Sequence, residues 1–117
     1  MKLKRPATVV ELLVAARYLI GVREHWCMDA LAVTKLGRRT APKSPAAVSW
    51  CAIGALHKIA GARETYEREE AKQLLDYEAD LMAGVPMVMI NDEGNYARVL
   101  RLYDLAIAQA RELEAQS

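Results

Sequence analysis

Cysteine is scarce in this chain of 117 residues, with Cys27 and Cys51 alone. Two thiols make no disulfide framework, and without an export signal they are expected to be reduced, in a cytoplasm. Four prolines and six glycines are too few for a disordered linker. Long hydrophobic runs are missing as well. The longest, Val85 to Ile90, falls far short of the roughly 20 residues that span a bilayer, so no membrane contact is expected. The basic start Lys2, Lys4, Arg5, leading into a segment with Glu11 and Arg17, argues against a cleaved signal peptide. The glycines stand singly, which excludes a phosphate-binding loop. His25-Trp26-Cys27 has no second ligand pair at zinc-like spacing, so neither a metal nor another cofactor is expected.

What is present is globular: 53% hydrophobic and 26% charged residues, enough for one domain over residues 1–117 that buries roughly two thirds of its unfolded surface. A net charge of +1 hides a division. Residues 1–58 carry ten Lys/Arg against Glu11, Glu24 and Asp29, a balance of +7, whereas residues 59–117 carry six against twelve Asp/Glu, a balance of −6. The halves are suited to face each other, to pair head to tail between copies, or to meet a charged partner.

Thr8 followed by Glu11 is a capping box, and Val9, Leu12, Leu13, Ala16, Leu19 and Ile20 recur at helical spacing until Gly21. Periodicity is then lost until Lys43, where Gly37, Pro42 and the cations Lys35, Arg38, Arg39 and Lys43 predict an exposed basic loop, with one short strand within 30–36. Ser44 as cap and Pro45 at the first helical position predict a second, central helix running to Gly61, apolar nearly all round and therefore buried. A third helix is expected over 63–82, with Glu78 on its apolar stripe, and a fourth from Tyr96 to about Glu114 capped by Asp92 or Asn95. Residues 85–90 fit a buried strand or a helical turn equally by pattern. The expected fold is mainly α, a compact bundle of about four helices around a buried central one, with room for a short two-stranded β element.

Few groups point to chemistry. In the predicted central helix Cys51 and His57 stand about 120° apart, so His57 is no base for that thiol. His25 with Asn91 or Asp92 would complete a nucleophilic set only through the fold. A small buried cysteine beside Gly54 and Ala55 is equally well read as core packing. Trp50, Gly54 and His57 align at i, i+4 and i+7, an arrangement for either a small pocket or a close helix approach. The basic cluster with Lys2, Lys4 and Arg5 suggests phosphate contacts. Against that, it lacks interleaved aromatics, and seven acids between Glu64 and Asp80 would repel a duplex.

Trp26, then Trp50-Cys51-Ala52-Ile53-Gly54-Ala55-Leu56, then Ile90-Asn91-Asp92 leading to Val99 and Ala106, resemble an uncharacterised family of short bacterial and phage proteins, a domain of unknown function. The resemblance spans most of the chain. It implies that Trp26, Cys51, Gly54, Asn91 and Asp92 meet in space, and that the origin is a phage or mobile element. The expected function is non-enzymatic binding of a protein, or of a second copy, through Lys35, Arg38, Arg39 and Lys43; by analogy of origin this extends to an inhibitor of a host defence complex. The alternatives are an enzyme built on Cys51, His25 and Asp92, a pocket at Trp50, His57, Asn91 and Asp92, or a nucleic-acid-binding module using the 35–43 loop.

Overall fold

The structure is a computed structural model and describes residues 8–60 and 65–116. The basic tail Lys2, Lys4, Arg5 and the expected helix boundaries at Gly61 and Arg63 lie outside the described residues. The first helix, α1 (Val9–Leu19), begins where the capping box places it: the Glu11 amide donates to the Thr8 hydroxyl at 3.1 Å. A single 3-10 turn (Arg23–His25) follows, then β1 (Ala32–Thr34), β2 (Arg39–Thr40) and β3 (Ala47–Trp50). Four helices complete the chain: α2 (Ala52–Ala60), α3 (Tyr66–Ala83), α4 (Met87–Asp92) and α5 (Tyr96–Ala115).

As expected the architecture is mainly α with a small β element; among the described residues it has five helices and a three-stranded antiparallel sheet in the order β2-β1-β3. The largest departure from the sequence reading is the Ser44–Gly61 helix. Ser44 and Pro45 make a turn instead, in which the Ala46 amide donates to the Ser44 hydroxyl and the Ala47 amide to the Ser44 carbonyl. Residues 47–50 then pair with β1, matching Ala32 with Trp50 and Val33 with Ser49. Val48 and Trp50 favour a pleated surface once a partner strand is present. The helix starts only at Ala52, and Trp50 stands on a strand, so the Trp50-Gly54-His57 face does not exist as one helical stripe.

The ambiguous run at 85–90 is helical. Pro86 stands just before the first helical residue, and the Met87 amide, which the chain's own turn leaves unbonded, donates to the Asp76 carboxylate of α3 at 2.8 Å. Asn95, not Asp92, caps α5, accepting from the Arg98 amide at 3.1 Å.

Helix α1 packs against α2, α3 and α5. Leu12, Leu13 and Ala16 of α1 meet Ala55 and Leu56 of α2, Leu75 and Ala79 of α3, and Leu102, Tyr103 and Ala106 of α5 in one apolar cluster. Helix α2 is buried along Ala52, Gly54, Ala55 and Leu56 but half-open along Ile53, His57 and Lys58. It packs against α1, α3, α4 and β3 and is not wrapped on every side, so the expected fully buried central helix is only half enclosed. On α3 the buried stripe runs through Arg68, Ala71, Leu75 and Ala79, which leaves Glu78 half-buried at its margin.

Candidate functional site

Asn91 is the polar centre of the fold. It is 1% exposed, and every hydrogen-bonding position of its amide is filled. Its Oδ1 accepts from the Trp26 indole N–H at 2.7 Å and from the Ala52 amide at 3.0 Å; its Nδ2 donates to the Cys27 carbonyl and to Asp92 Oδ1, both at 3.1 Å. One side chain therefore ties the segment before β1, the first residue of α2, and α4. The same Asp92 oxygen accepts from the Asp29 amide at 2.9 Å and holds Asp29 in a left-handed turn, φ 63°.

Cys51 occupies the residue just before α2. The Ala55 amide donates to its carbonyl at 2.9 Å, closing the first helical turn, and the Gly54 amide donates to its sulfur at 3.2 Å. The sulfur thus serves as helix cap, a role that the misplaced helix start hid from the sequence reading. A helix start lowers a thiol's pKa, but here burial dominates and pushes it up, and the charge of Asp92 pushes the same way. Gly54 is required by a close approach. A Cβ at this position would lie 1.8 Å from the Leu31 carbonyl oxygen, so the neighbour it admits is the loop entering β1, not another helix. Tyr103 closes the arrangement from α5, its hydroxyl donating to the Ala52 carbonyl at 2.6 Å. Trp26, Asn91 and Asp92 are thereby joined in one hydrogen-bond network, and the Cys51–Gly54 contact adjoins it through the Cys51–Ala52 backbone.

The other candidates are dispersed. His25 lines a groove of about 440 Å³ with Arg17, Tyr18, Gly21 and Val22, separate from the cleft that Cys51 borders. His57 lines a third cleft with Arg68, Glu69 and Lys72. Trp50 is buried, donates its indole N–H to the Pro42 carbonyl at 2.8 Å, and has the Lys58 ammonium 5.9 Å from its ring centroid. Asn91 is spent on structure, whereas Asp92 is exposed and borders a cleft.

That cleft, of about 540 Å³, is lined by Asp29, Arg39, Cys51, Lys72 and Asp92 with Leu31, Ile53 and Val88 as apolar walls. Lys72 and Asp29 entered no motif, because four separate elements bring this set together. The basic cluster is a hairpin: Lys35 and Arg38 flank the β1–β2 turn, Arg39 is on β2, and Lys43 follows it, all four exposed. The Thr34 amide donates to the Arg38 carbonyl at 2.8 Å and left-handed Gly37 (φ 78°) returns the chain, so that Leu36 stands 82% exposed among the cations. Among the described residues no group of three or more His, Cys, Asp or Glu is placed to hold a metal ion, and no helix is long and apolar enough to cross a membrane.

The chain belongs to a family of unknown function, DUF6197, whose model matches residues 4–109. No curated protein and no solved structure matches it.

Proposed function

We propose that this family member is a small binding protein without chemistry of its own, which grips a protein partner through the β1–β2 hairpin. The observation that carries the reading is the hairpin tip. Leu36 is 82% exposed, and Lys35, Arg38, Arg39 and Lys43 surround it in the sequence and are exposed too. An exposed apolar side chain flanked in sequence by cations matches an acidic protein surface with an apolar pocket, in which arginine and a buried anchor supply most of the affinity. A nucleic-acid backbone offers the cations partners but the leucine none. A second copy is one such partner, through the acidic first turn of α3 with Glu67 and Glu69.

The cysteine-enzyme alternative retains Cys51 and Asp92 at one cleft but loses His25 to a different groove. A thiol that burial pushes up is a poor nucleophile near neutral pH.

The test uses the purified chain as bait for a partner from cell lysate, with sedimentation velocity to read self-association. Leu36→Asp and the double change Arg38→Glu with Arg39→Glu are expected to weaken capture by about tenfold or more, roughly 1.4 kcal/mol, while Cys51→Ser captures normally. Undiminished capture by both hairpin variants would overturn the reading, as would loss of capture in a well-folded Cys51→Ser chain.

A further inference from the structure

The cleft beside Cys51 holds four charges from four parts of the chain. Arg39 comes from β2, Lys72 from α3, Asp92 from the end of α4, and Asp29 from the turn before β1. Among the described residues none of the four is ion-paired; the ion pair found there, Arg17–Asp104, involves none of them. Asp92 commits one carboxylate oxygen to the Asp29 amide and the Asn91 side chain, and its second oxygen has no described hydrogen-bond partner. Two cations and two carboxylates thus share one concavity with Leu31, Ile53 and Val88 and do not neutralise one another directly.

We propose that this cleft binds a small zwitterion with an apolar body, of about the size of a dipeptide. The carboxylate of such a molecule answers Arg39 and Lys72, its ammonium answers Asp29 and Asp92, and its side chains cover the apolar walls. Simple anions find less here. The first-turn amides of α2, the usual anion donors, are occupied: Ala52 donates to Asn91 and Gly54 to the Cys51 sulfur. A volume of about 540 Å³ falls within the ordinary range for ligand sites, and a dipeptide spans about 7 Å between its charged ends. The ends of the site are held unequally. The Asp29 backbone is held by the hydrogen bond its amide donates to the Asp92 carboxylate, whereas Arg39 and Lys72 extend from a short edge strand and an exposed helix face. The ammonium end is therefore the preorganised one.

The full chain is titrated calorimetrically with the dipeptide Leu-Leu, with its N-acetyl form and with its C-terminal amide. Leu-Leu is expected to bind with a Kd below about 1 mM and each blocked form about tenfold more weakly or worse. Asp29→Asn should shrink the difference between Leu-Leu and its acetyl form, Asp92 being the carboxylate that remains. Lys72→Gln should shrink the difference between Leu-Leu and its amide. Both changes sit on exposed side chains, and circular dichroism verifies that the variants fold. Absence of binding at millimolar Leu-Leu overturns the proposal, and so does equal binding of free and blocked forms. Sensitivity to one terminus alone overturns it as well, since that describes a site for a single charge. Arg38→Glu, which leaves the cleft untouched, keeps Leu-Leu binding whatever it does to partner capture, so the two readings fail separately.

Discussion

The indole N–H of Trp26 donates to Asn91 Oδ1 at 2.7 Å, joining residues 65 apart in the chain inside a buried site. The same oxygen takes the first amide of α2, so Trp26 and the start of the central helix share one acceptor. Asn91→Ala strands that indole, the Ala52 amide and the Cys27 carbonyl together. Each stranded buried group costs about 1–3 kcal/mol, so a loss of about 4 kcal/mol is expected in urea denaturation. Asn91→Asp keeps the acceptor but sets a second carboxylate beside Asp92. Its cost should shrink as pH falls and the introduced acid takes up a proton, because the neutral form carries no repulsion.

Gly54→Ala is the sharpest packing test. Its new methyl carbon would stand 1.8 Å from the Leu31 carbonyl oxygen and 2.7 Å from the carbonyl carbon, both backbone atoms that no rotamer change removes. The β1 entry must shift away from α2, and overpacking of that kind costs about 3 kcal/mol. Gly37→Ala is the control: its Cβ meets nothing within 4 Å, and only the left-handed backbone, φ +78°, resists it, at about 1 kcal/mol. Thermal unfolding of the pair should show Gly54→Ala as much the worse.

The contrast between α1 and β3 shows what the sequence makes legible. Helices α1, α3 and α5 carry apolar residues at helical spacing and local caps at Thr8, Thr65 and Asn95, each within three residues of the amide it accepts. Local information suffices there. From Ala46 to Leu56 the chain is apolar but for Ser49, a pattern shared by a buried strand and a buried helix. The choice between them is made by β1, fifteen residues upstream of β3 when Ala32 is counted against Ala47. The site divides in the same way. The meeting of Trp26, Cys51, Gly54, Asn91 and Asp92 follows the family resemblance rather than any spacing. Lys72, Asp29 and buried Arg68 carried no signal, because their setting arises from elements distant in sequence.

Burial pushes the Cys27 thiol from its ordinary 9.0 up to about 11, with the neighbouring Cys51 adding to the rise and Ser49 opposing it by a hydrogen bond. The folded chain therefore holds this proton more tightly than the unfolded chain. The resulting stability is fully present below pH 9.0 and drains away as pH rises through about 11. Wild-type protein should lose stability across that window more steeply than Cys27→Ser, when urea midpoints are measured at successive pH values. In a Cys51→Ala background the ultraviolet thiolate absorbance of the folded chain should still half-titrate above the ordinary 9.0, because burial, the larger cause, remains, but lower than in a chain that keeps Cys51.

Asp76 holds α4 in place from a different helix. Its carboxylate accepts the Met87 amide, the first of α4, at 2.8 Å, and so satisfies one of the amides that a helix start leaves open where Pro86 has no side-chain acceptor to give. Asp76→Ala should cost about 1 kcal/mol in denaturant unfolding, as loss of a helix cap does. Asp76→Asn, which keeps a carbonyl oxygen at the same reach, should cost less. Asp80→Ala separates this effect from loss of negative charge, because Asp80 is exposed and contributes only its backbone carbonyl, to Gly84. Since α4 carries Asn91, the Asp76→Ala chain should also show faster amide hydrogen exchange at Ala52, whose partner is then less firmly placed. Unchanged exchange at Ala52 alongside a lowered urea midpoint would mean that α4 is anchored by Met87 and Ile90 in the core and that the Asp76 contact acts on its first turn alone.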